Sequence, residues 1–207
     1  MGFNDRTALF EASRFSNGDS TSNVAVQSDG TIAALWYSGD DGASSVGGIQ
    51  GAIFNPDGSL RSGPLEFEPG GIGGDGGPVT DPSFAALGDD RFIATWDIVV
   101  SEEKLEGEDS SLAAPGGQIF DSNGKPLTGP LTFAEERPYL IPDGPVRVAD
   151  LGNNQALATW ITSTSPASGV SGTPRVAAQL IDYNGNSIGS PYTIESEGKD
   201  GASMSDL

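Results

Sequence analysis

Apolar residues gather in short runs separated by clusters of Gly, Pro, Asp, Asn and Ser. Three of those runs are near-copies: Ile32-Ala33-Ala34-Leu35-Trp36, Phe92-Ile93-Ala94-Thr95-Trp96 and Ala156-Leu157-Ala158-Thr159-Trp160. Within each run apolar side chains stand at both parities, which is how a strand buried on both faces reads. Two positions before each Trp sits an alanine (Ala34, Ala94, Ala158), so a small residue lies beside a bulky one on the same face. Close-packed interiors alternate large with small in this way, and each sheet is expected to seat its Trp against a neighbouring sheet.

The turns repeat with the strands. Ahead of the Trp strands lie Ser28-Asp29-Gly30, Gly88-Asp89-Asp90 and Gly152-Asn153-Asn154, residues that tolerate the positive φ of type I′ and related hairpin turns. Behind them lie Asn55-Pro56-Asp57-Gly58, Asp121-Ser122-Asn123-Gly124 and Asp182-Tyr183-Asn184-Gly185, each with a proline six residues after its glycine (Pro64, Pro130, Pro191). Proline is tolerated where no ladder donor is needed, so the strand marked by Phe67, Phe133 or Ile194 is expected at a sheet edge.

The Trp residues recur at intervals of 60 and 64 residues. The chain is therefore read as all-β: three four-stranded antiparallel propeller-like blades over residues 22–67, 82–133 and 144–194 within a single domain of residues 1–194. Leu9 and Phe10 precede Trp36 by 27 and 26 residues, much as Phe67 precedes Trp96 by 29 and Phe133 precedes Trp160 by 27, so residues 8–15 are expected to form an extra strand. A β-trefoil, also built from three four-stranded repeats, is the alternative fold. Residues 101–115, rich in Glu and Asp, are expected to form an exposed, mobile acidic loop, and residues 195–207 a disordered tail. Propellers close with about four to eight blades. Three blades leave open sheet faces unless chains associate, for example as a six-blade ring of two.

Composition narrows the partners. Ten basic residues against 29 acidic ones give a formal charge of −19, which repels nucleic acid and anionic membrane surfaces. No apolar run approaches the roughly 20 residues of a membrane-spanning helix, and the opening residues lack the basic start and apolar core of a signal peptide. The chain has no cysteine and no histidine, which removes disulfides, Ser-His-Asp and Cys-His catalysis and His-ligated metals.

The string apolar-Ala-Thr-Trp, then Gln-x-Phe-Asp-x-x-Gly-x-Pro-Leu-x-Gly-x-x-x-Phe, read here from Ile93 to Trp96 and from Gln118 to Phe133, resembles the tandem repeat of large secreted, RTX-like bacterial surface proteins. The resemblance covers residues 8–194, with Ala52 standing where the other repeats have Gln118 and Gln179. It implies a propeller, an extracellular or cell-surface location, and export by type I secretion without an N-terminal signal.

The chemistry that remains is sparse. Gly70-Gly71-Ile72-Gly73-Gly74-Asp75 matches the start of a calcium-binding glycine-rich nonapeptide, although Gly77 stands at its large apolar position. Calcium takes six to eight oxygen ligands, and Asp40, Asp41 and Asp75 are the candidate ligands. Asp97, Glu135 and Glu136 are the carboxylates to inspect for glycoside hydrolysis. Ser101-Glu102-Glu103-Lys104 matches Ser-x-x-Lys without its companion motifs, and the glycines of residues 71–76 lack the strand-to-helix setting of a dinucleotide site. The expected function is that of a non-catalytic extracellular module that self-assembles or joins other surface proteins. The alternative is a calcium-dependent, glycan-binding adhesin.

Overall fold

The computed structural model describes residues 20–38, 48–65, 67, 79–105, 108–133, 145–163 and 174–194. Twelve strands make three sheets of four, each from consecutive strands in antiparallel order, and no helix occurs among the described residues. The first sheet comprises β1 (Ser20–Val26), β2 (Ile32–Ser38), β3 (Gly48–Phe54) and β4 (Leu60–Ser62). The second comprises β5 (Val79–Leu87), β6 (Arg91–Leu105), β7 (Glu108–Asp121) and β8 (Leu131–Thr132). The third comprises β9 (Arg147–Gly152), β10 (Gln155–Ser163), β11 (Pro174–Asp182) and β12 (Ser187–Ile194). Each Trp strand is second of its four, and β4, β8 and β12 are edge strands.

The two faces of each sheet do different work. Ala33, Leu35 and Ile53 of the first sheet pack against Ala94, Trp96 and Phe120 of the second, and Ile93 and Ile119 of the second pack against Ala158, Trp160 and Ile181 of the third. The Trp-bearing face of one sheet thus lies on the opposite face of the sheet before it, with Ala94 and Ala158 making room beside the indoles. Aromatic residues after the third strand complete both junctions: Phe67 meets Trp96 edge-on at 6.0 Å, and Phe133 stacks on Trp160 at 6.3 Å. On the first sheet's other face Ala34, Trp36, Ala52 and Phe54 form a small cluster whose described members all come from that sheet.

The turns show why these residues were selected. After β3, β7 and β11 the turn glycine donates back to the residue three before it at 2.9 Å (Gly58 to Asn55 O, Gly124 to Asp121 O, Gly185 to Asp182 O), and each glycine has φ between 80° and 84°. That left-handed conformation is the one a three-residue hairpin loop requires. Before the Trp strands the sheets differ. Asp89 and Asp90, like Asn153 and Asn154, all have positive φ, as a two-residue type I′ turn demands, whereas the first sheet turns through Gln27–Gly30 with only Gly30 left-handed.

One expectation is corrected. Residues 101–115 are not a loop, because β6 runs on to Leu105 and β7 returns from Glu108, paired from Ser101↔Leu112 to Leu105↔Glu108. Ile98, Val99 and Val100 carry the strand past Asp97, and after a register shift between Val99 and Ser101 the antiparallel ladder continues through the acidic stretch. Residues 8–15 and 195–207 lie outside the described residues.

Candidate functional site

Several polar side chains in this fold join one sheet to the next. Asn23 Oδ1 accepts from Phe84 N at 2.7 Å, and Gln27 Nε2 donates to Leu87 O at 3.0 Å and to Arg91 O, tying β1 to the second sheet. Arg61 Nη1 donates to Ser122 O at 3.3 Å. Between the second and third sheets Thr95 Oγ1 donates to Val146 O at 2.9 Å. Gln118 and Gln179 act within their own sheets, donating to Thr128 O at 2.9 Å and to Leu180 O at 2.7 Å. Each bond satisfies a main-chain group that water reaches poorly.

The densest polar cluster surrounds Tyr183, in the turn after β11. Its ring lies against Gly88, where an added Cβ would sit 2.7 Å from the phenol oxygen, so glycine is needed there for close approach. The phenol donates to Asp150 Oδ1, Tyr183 N donates to Asn154 Oδ1 at 3.3 Å, and Arg91 Nη1 donates to Tyr183 O and, at 3.2 Å, to Asn184 Oδ1. Burial, reinforced by the hydrogen bond to Asp150, holds the phenol above its ordinary value of 10.0. Tyr183 therefore stays protonated and donates within the third sheet, while its carbonyl, accepting from Arg91, and its ring, against Gly88, join the third sheet to the second. Tyr183 is absent from the residues singled out by sequence. The signal that could have found it is Gly88, placed beside two residues that already supply the turn's positive φ.

Most of the residues proposed for chemistry lie outside the described residues. Asp40, Asp41 and Asp75, the candidate calcium ligands, lie outside the described residues, as do Glu135, Glu136 and residues 70–77. Asp97 is fully buried opposite Pro115 and Thr80, and Ser101 and Lys104 stand on β6. Trp36, Trp96 and Trp160 are buried as packing surface. Among the described residues no group of three or more His, Cys, Asp or Glu side chains is placed to hold a metal ion. No described helix is long and apolar enough to cross a membrane.

What the described surface does offer is a set of exposed apolar side chains on the edge strands of the two terminal sheets. On the first sheet Val24 and Val26 are each 57% exposed, on the face they share with Ala34 and Ile32. On the third, Tyr192 is 48% and Ile194 49% exposed, across the ladder from Ala178 and Val176. Of the exposed large hydrophobic residues described, all but Leu127 belong to these two terminal sheets. Comparison with protein-family models, with curated proteins and with solved structures finds no match.

Proposed function

We propose that the chain is a non-catalytic, propeller-like module of an extracellular bacterial surface structure, and that it works by associating with copies of itself. One observation carries the reading: among the described residues the three sheets form a row that does not close on itself, and the exposed apolar side chains gather on the terminal sheets rather than along the middle one. Six sheets from two chains would fall within the range of about four to eight at which propellers close. The surface location rests on the resemblance of the repeat to those of secreted bacterial proteins. The polar residues support a structural role, since Gln27, Thr95 and Arg91 all donate to main-chain carbonyls across sheet junctions. Light scattering or sedimentation velocity at micromolar concentration tests this. Association beyond the single chain is expected, and a strictly monomeric protein overturns the reading.

A further inference from the structure

We infer that Trp36 and Gln50 form a closed binding site for a single hydroxyl group, and that an internal water supplies it. The site belongs to the single chain, so it stands whether or not copies associate.

The first sheet departs from the other two at this point. The residue directly opposite a strand position lies on the same face of the sheet, so the partner of each Trp lies beside its indole. In the second and third sheets that partner is Gly116 or Ala177, which brings no polar side chain. In the first sheet it is Gln50. One same-face pair further along the order is reversed: Gln118 and Gln179 stand opposite Ala94 and Ala158, where the first sheet sets Ala52 opposite Ala34. Gln118 and Gln179 spend their amides on carbonyls of their own sheets, at 2.9 and 2.7 Å. Displaced by two positions, Gln50 makes no such bond among the described residues, and the volume that a glutamine fills in the other sheets is left to Ala52.

The two neighbours each keep an unmatched polar atom. Trp36 is 3% exposed, and its Nε1–H finds no acceptor among the described residues. Gln50 Oε1, also cut off from solvent, finds no donor there. Opposite residues hold their Cβ atoms about 4.5–5.5 Å apart, yet the indole and the amide do not bond to each other. Turning the amide over does not cure this, because it sets a second donor beside the indole N–H. Buried polar atoms in native folds are met by a partner, and where the chain offers none an ordered water takes the place.

The two groups select the chemistry of that partner. An ammonium or a metal ion is repelled by the indole N–H, and a carboxylate or phosphate by the amide oxygen. A hydroxyl accepts from the first, donates to the second and brings no charge to be desolvated. Two partners lie within the range of about two to four that hold a buried water. Water is favoured over a sugar hydroxyl because both atoms are closed off from solvent, which excludes a group carried on a ring.

Crystals of the full chain, with and without a glucose soak, test the assignment together with the indole N–H signals of nitrogen-15-labelled protein. One water is expected within about 3.2 Å of both Trp36 Nε1 and Gln50 Oε1, unchanged by glucose. Gln50→Met keeps the length of the side chain and drops the carbonyl. It should lose that water and shift the Trp36 indole signal, leaving those of Trp96 and Trp160 in place. An indole bonded directly to the Gln50 amide, a hydroxyl of the chain or of glucose at that point, or a Trp36 signal unmoved in Gln50→Met overturns the inference.

Discussion

On the second sheet Thr95, Ile93 and Phe133 lie beneath Trp160 and its neighbours, while on the third sheet the matching Thr159, Leu157 and Ile194 have no described sheet above them. The strand sequences are close to interchangeable, Phe92-Ile93-Ala94-Thr95-Trp96 against Ala156-Leu157-Ala158-Thr159-Trp160. A strand's own residues decide which side chains share a face. Its neighbour decides what that face contributes to stability, because the contribution scales with apolar surface removed from water.

The comparison is broken or sharpened most strongly at its aromatic centres. Trp96→Ala empties the middle of the first junction and should cost about 3–5 kcal/mol in urea unfolding, whereas Ile194→Ala in dilute solution should cost less than about 0.5 kcal/mol. Similar losses from both would mean that junction and end are not distinct environments. A smaller contrast is expected at the hydroxyls. Thr95→Val strands the Val146 carbonyl and should cost about 1–3 kcal/mol, while Thr159→Val should be close to neutral until copies associate. Equal costs at the two positions would show that the bond across the junction contributes nothing of its own.

The smallest effect should ignore the distinction between inside and end. The Asp29 carboxylate takes hydrogen bonds from Thr31 N and its hydroxyl, and the Asp57 carboxylate from the Ser59 hydroxyl and N; both are held below the ordinary 3.8. At Asp182 partial burial pushes upward, but bonds from Asn186 and Asn184 outweigh it and the carboxyl also lies below 3.8. A carboxyl depressed in the folded state stabilises above its unfolded pKa, and that stability is lost as pH falls through the folded value. Unfolding midpoints should therefore decline below about pH 4, and Asp57→Asn should flatten the decline slightly. A profile unchanged by the substitution would show that the turn carboxylate is not titrating there.

Much of this fold was legible because its signals are local. The Ala-x-Trp spacing and the Asn/Asp-x-x-Gly turns are set by residues near one another in sequence, and the three sheets follow them; the proline is a looser guide, preceding β8 but following β4 and lying within β12. The type I′ turn at Gly88-Asp89-Asp90 was read from the same kind of information. The extended hairpin through Leu105 and Glu108 was not, because an acidic composition argues for a loop while the ladder is decided by pairing across two strands. The Tyr183 clasp escaped for a related reason. Gly88 and Arg91 lie far from Tyr183 in the chain and meet it only when the second and third sheets pack. The candidate calcium ligands came from turn-like Asp and Gly, residues whose chemistry serves hairpins equally well.

The one-way order of the faces, indole side forward and phenylalanine side behind, has an evolutionary corollary. A repeat copied in frame would arrive already fitted to the member on either side of it, with no second mutation required. Copy number in such a lineage is free to drift.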